Sequence, residues 1–92
     1  MDAIDLADWY DQQTPGLGAA FFKAVDDLIA ALSAHPRLYG RISDAPRGRE
    51  VRLGLLPGFP IVFVYVVRPN EVVVVSLSHA RSSRRPWRQR LP

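Results

Sequence analysis

The densest chemistry in this 92-residue chain lies near its end, where His79 is followed by Arg81, Arg84, Arg85, Arg88 and Arg90, with Trp87 among them. Guanidinium groups are permanently charged planar forks that grip phosphate or carboxylate oxygens in pairs. An indole between them supplies an apolar anchor of the kind that concentrates binding energy at an interface. An imidazole titrates near neutrality, so His79 is a candidate proton carrier. The same histidine also reads as a strand-end residue with a local hydrogen bond, and the arginines as a disordered basic tail. Binding without catalysis needs surface alone, and for that Arg81, Arg84, Arg85, Trp87 and Arg88 are the candidates.

Other chemistries are narrowed by composition. Cysteine is absent, which excludes disulfides and thiolate metal sites and fits a reducing cytoplasm. His35 and His79 lie far apart, and no His/Asp/Glu cluster has ligand spacing, so neither a metal nor a cofactor is expected. The start carries Asp2, Asp5 and Asp8 without a basic stretch, unlike a secretory signal. Apolar runs are strand-length, far short of the roughly 20 residues of a membrane span.

The net charge of +3 conceals a polarity. Residues 1–34 hold six aspartates against Lys23, whereas residues 35–92 hold eleven arginines against Asp44, Glu50 and Glu71. An acidic or polyanionic partner would complement the second half, with a solvated basic face as the alternative.

These groups must be positioned by a few short elements. Ala3, Leu6, Ala7 and Tyr10 recur at helical spacing opposite aspartates, predicting a helix over about 2–13, with Trp9 and Tyr10 as packing aromatics. Thr14-Pro15-Gly16 breaks it; with no strand before it, this stretch and Gly18 read as a turn rather than a phosphate loop. Leu17, Phe21, Ala24, Val25, Leu28 and Leu32 predict a second helix over about 17–34, its stripe widened by Phe22 and Ile29 and stopped by His35-Pro36. Residues 37–48 have no strand or helix period. Strands are predicted at about 49–56, 60–68 and 71–78. In the first, Val51, Leu53 and Leu55 alternate with Glu50, Arg52 and Gly54; the second is apolar on both faces; Pro57-Gly58-Phe59-Pro60 and Pro69-Asn70 make the turns. The expected fold is α+β, an N-terminal helical hairpin packed on a three-stranded antiparallel sheet, in one domain. With one sheet face under the helices, the doubly apolar 61–67 strand predicts an external partner on the other.

Ala7-Asp8-Trp9-Tyr10-Asp11, Pro15-Gly16-Leu17-Gly18, Phe22, His35-Pro36, the 49–55 strand and His79-Ala80-Arg81 leading to Arg85-Pro86-Trp87 stand in an order that resembles the RelE/ParE superfamily of type II toxin–antitoxin toxins, on its ParE side. The resemblance spans nearly the whole chain. It differs in lacking the usual first strand, which predicts an open sheet edge that an antitoxin segment or a second copy could fill.

What this implies is a cytoplasmic toxin held in a hetero-oligomer by a cognate, ParD-like antitoxin, with DNA gyrase as target and inhibition by binding alone. The implied antitoxin-facing residues are Arg52, Ile61, Phe63 and Tyr65, and the implied gyrase-facing residues are those of the basic tail. A RelE-like ribosome-dependent mRNA endonuclease is the alternative, using His79, Arg81 and Arg68. Its RNA-cleaving relatives commonly carry an arginine inside the central strand, where Phe63 to Val67 has none. A non-toxic, degraded member that only binds antitoxin is a third reading. No sequence-specific DNA contact is expected, because no helix-turn-helix is present.

Overall fold

The computed structural model describes residues 3–42 and 48–80. Helix α1 covers Ala3–Gln13 and buries Leu6, Ala7 and Tyr10, leaving Asp5, Asp8 and Asp11 outward. It ends where Thr14 N–H bonds the Tyr10 carbonyl at 2.9 Å and Gly16 turns at φ 87°, a left-handed angle suited to glycine. Helix α2, Leu17–Ala34, starts one residue later. Gly16 provides no side-chain cap; instead the Asp11 carboxylate of α1 accepts the Gly18 N–H at 2.7 Å, setting a negative charge at the positive end of α2. Pro36 follows the C-cap His35, whose N–H bonds the Ala31 carbonyl at 2.8 Å.

Strands β1 (Glu50–Leu55), β2 (Ile61–Arg68) and β3 (Glu71–His79) form an antiparallel sheet in the order β1-β2-β3, completing the expected α+β arrangement. Leu6, Tyr10, Phe21, Leu28 and Leu32 of the helices meet Leu56, Ile61, Phe63, Tyr65 and Leu77 in one core. Phe22 and Ile29 are not part of it. At 41% and 47% exposure they lie on the flank of α2, because the sheet reaches only as far round the helix as Phe21, Leu28 and Leu32. Trp9 is likewise 43% exposed while its ring meets Tyr10 edge-on.

The second sheet face departs from expectation. Val51, Val64 and Val66 form a separate buried cluster with Ile42, Val62 and Val75 packed around it, so the centre of this face is covered within the chain. Alternation in β1 does not turn its apolar residues toward the helices. Arg52 pairs with helix-facing Tyr65, which puts Glu50, Arg52 and Gly54 on the helix side and Val51, Leu53 and Leu55 on the other, where Leu53 and Leu55 stay exposed. A period of two fixes which residues share a face, not which face meets the helices.

The stretch between α2 and β1 is not wholly irregular. Ile42 N–H bonds the Val51 carbonyl at 2.8 Å and Leu53 N–H bonds the Gly40 carbonyl at 3.1 Å, laying residues 40–42 along the outer edge of β1. Edge donors and acceptors of β1, rather than local periodicity, organise this segment. Among the described residues β3 therefore forms the edge without a strand neighbour, and no helix is long and apolar enough to cross a membrane.

Candidate functional site

The tail candidates Arg81, Arg84, Arg85, Trp87 and Arg88 lie outside the described residues. His79 and Arg68 are described, and the register separates them. His79 is half-buried and pairs with Ile61 at one end of β2, while Arg68 pairs with Glu71 at the other. Seven residue steps of about 3.3 Å put roughly 23 Å between these ends, too far for both to reach one scissile phosphate. Arg68 instead meets Glu71 at 3.5 Å across the Pro69-Asn70 turn, an exposed pair of small energetic weight. No metal-ligand cluster occurs among the described residues.

Ile61, Phe63 and Tyr65 are fully buried, their side chains turned under the helices. Arg52, in contrast, is the centre of a polar network. Its Nε donates to Glu50 Oε2 at 2.8 Å and its Nη1 to the Tyr39 carbonyl at 2.7 Å, while Arg37 Nη2 donates to Glu50 Oε1 at 2.8 Å. Tyr65 Oη donates to the Pro36 carbonyl at 2.8 Å and accepts the Tyr39 N–H at 3.4 Å. The Tyr39 ring stands edge-on to Phe63, with centroids 4.9 Å apart. All of these contacts but the Arg52–Glu50 pair, which lies within β1, tie the segment after α2 to the helix-side face of β1 and β2.

Burial ranks the two ion pairs. Arg52 and Glu50 side chains are 14% and 17% exposed, so their attraction is weakly screened; Arg37 is 65% exposed and adds less. The Arg52 hydrogen bond is the main cause of a Glu50 carboxyl held below the usual carboxylate range, against the opposing effect of burial, with Arg37 assisting. Burial pushes the Tyr65 hydroxyl up, moderated by the Tyr39 N–H and Arg52. The clamp leaves Arg37, Arg41 and Arg49 exposed along the start and outer edge of β1, a cationic strip that suits a carboxylate-bearing segment.

This clamp predicts a pH signature. A folded-state value below the ordinary 4.5 means that Glu50 stabilises the fold above that pH and that the contribution disappears as pH falls through the lowered value. Glu50→Gln is accordingly expected to unfold at lower urea concentration than the parent at pH 7, with the gap closing in acid. A gap independent of pH would mean that the carboxylate charge is not what holds the clamp.

Sequence reasoning singled out Arg52 but missed Glu50, Arg37 and Tyr39. Two signals were present: Glu50 and Arg52 are two apart in a strand, hence on one face, and Gly54 inside a strand marks a close approach, here by the Tyr39 ring. Arg37 gave none, because its partner is thirteen residues away.

A family model described as ParE toxin of type II toxin-antitoxin system, parDE, matches residues 2–84. No curated protein and no solved structure matches the chain.

Proposed function

The chain belongs to the ParE toxin family of type II toxin–antitoxin systems, and from that premise we propose that it is a cytoplasmic inhibitor of DNA gyrase that works by binding, with its cognate antitoxin neutralising it. The observation that carries the non-enzymatic reading is the strand register, which sets His79 and Arg68 at opposite ends of β2. The central strand has no arginine before Arg68 to take the missing place beside His79. A binding inhibitor needs no such constellation; it needs cations and an aromatic anchor, which Arg81, Arg84, Arg85, Trp87 and Arg88 provide in sequence. The antitoxin is read as an acidic, amphipathic segment, its carboxylates meeting the exposed arginines beside β1.

Supercoiling and cleavage-complex assays with gyrase test this directly, using the purified chain with and without the product of the neighbouring gene. Inhibition relieved by the neighbour is the expected result. Replacing Arg84, Arg85 and Arg88 with alanine should abolish inhibition while leaving the circular dichroism spectrum and melting temperature of the parent. Undiminished inhibition by that variant would remove the tail from the mechanism. Gyrase unaffected by the parent chain would instead direct attention to ribosome-dependent mRNA cleavage with His79 as the first residue to replace, and inactivity in both assays to a member that only binds antitoxin.

A further inference from the structure

Among the described residues the β3 edge of the sheet has no strand neighbour, and inhibition of gyrase by the basic tail makes no use of it. Between Val72 and Ser78 strand β3 carries no charged residue and no proline, the usual obstacles by which edge strands refuse a neighbour. Beside it runs a groove of about 310 Å³ lined by Ile29, Leu32, Ser33, Val72, Val73 and Val74. Ile29, 47% exposed, stands on its rim, and Phe22, 41% exposed, lies seven residues earlier on the same flank of α2. Apolar surface thus continues from the strand edge up the helix.

We propose that this edge is a self-association surface: two copies of the chain pair antiparallel through β3, joining their sheets into one of six strands. The occupant follows from the strand's own pattern. Val72, Val74 and Leu77 face the helices, as does His79 opposite Ile61, whereas Val73, Ser76 and Ser78 pair with Val66, Val64 and Val62 and face the other way. A bulge at Val75 shifts the alternation midway along the strand. Because of that shift, a two-fold axis between Val75 and Ser76 matches faces along the whole strand. It sets Val72 against His79 of the second copy, Val73 against Ser78 and Val74 against Leu77. Without the bulge this register would oppose residues of unlike faces.

Charge favours the same arrangement. Glu71 begins the strand, so antiparallel pairing sets the Glu71 carboxylates of the two copies at opposite ends of the joint, whereas parallel pairing would place Glu71 beside Glu71. The closed two-fold symmetry also stops growth at two copies. A strand edge alone is a narrow strip compared with the roughly 800 Å² per partner of a standard interface. The groove and the flank bearing Ile29 and Phe22 widen it, with α2 of each copy beside its counterpart on the shared helix face.

Sedimentation equilibrium of the full chain over a concentration series is the first test, and a reversible monomer–dimer equilibrium is expected. Val73→Lys and Ile29→Glu each place a charge on the surface without touching the core and should weaken association by at least about tenfold, with the monomer's circular dichroism preserved. Register is read with a short thiol cross-linker, since the chain has no cysteine of its own. Val73→Cys combined with Ser78→Cys should give a covalent dimer. Val73→Cys alone, about 17 Å from its copy by five strand steps, should not. A parent that stays monomeric throughout overturns the proposal, as does a dimer that the two charged variants leave intact or that cross-links equally through Val73→Cys alone.

Discussion

Replacing Phe21 with alanine is expected to destabilise the chain by about 3–5 kcal/mol, the range for removing a fully enclosed aromatic side chain. Phe21 is inaccessible to solvent and, beyond the adjacent Phe22 ring at 6.2 Å, meets Tyr10 at 5.5 Å and Phe59 at 5.4 Å, which themselves meet edge-on at 5.0 Å. One ring comes from α1, one from α2 and one from the turn between β1 and β2, so this triangle is where the helical hairpin and the sheet are joined. Domains of this kind are stable by roughly 5–15 kcal/mol in total, so the loss leaves little margin. Its neighbour Phe22 makes the contrast: 41% exposed and outside the core, it should cost less than about 1 kcal/mol on truncation. Urea unfolding of both variants decides the matter. Equal losses would show that the triangle is not the junction it resembles.

The same residues mark how far the sequence could be read. Element order and type followed from local signals: Pro15-Gly16 between two helical periods, Pro57-Gly58-Phe59-Pro60 and Pro69-Asn70 between apolar runs. The family was legible in the order of its short blocks, and a family model over residues 2–84 agrees. What stayed hidden depended on contacts across the chain. No local pattern says that Glu50, Arg52 and Gly54 face the helices, because the deciding partner is Tyr65 in another strand. Residues 40–42 have no strand period of their own and acquire a strand's role from the unpaired groups of β1. Phe22 and Ile29 satisfy helical spacing as well as Phe21 and Leu28 do; only the extent of the sheet beneath α2 separates core from flank. Proximity failed similarly for the candidate acid–base set. His79 and Arg68 stand eleven residues apart in the chain, and a hairpin that returns along β2 carries them to opposite ends of the sheet.

That dependence on distant contacts makes Gly54 the second position of large effect. A β-carbon there would collide with the Tyr39 ring and lie 2.8 Å from Cζ of Phe63. Neither ring is placed to yield. Phe63 is wholly enclosed, and Tyr39 is pinned through its backbone, its carbonyl to Arg52 and its N–H to Tyr65. Overpacking of this type costs about 1–3 kcal/mol, so Gly54→Ala is expected to lower stability by that amount despite adding a single methyl group. Its consequence should extend beyond stability. If Tyr39 is pushed outward, residues 40–42 leave the β1 edge with it, and the Ile42 and Leu53 amides, whose bonds hold that segment, should exchange with solvent faster than in the parent. Arg37 and Arg41, which the segment carries, would lose their placement beside β1, and antitoxin affinity should fall with them. A double-mutant cycle isolates the cause. In a Tyr39→Ala background one of the two collision partners is gone and only the Phe63 contact remains, so Gly54→Ala should cost less than it does in the parent, a coupling expected only between residues in contact. Strict additivity of the two substitutions would instead place the penalty of Gly54→Ala at Phe63 or in the strand backbone, and the position of Tyr39 would then owe nothing to the missing side chain at this position.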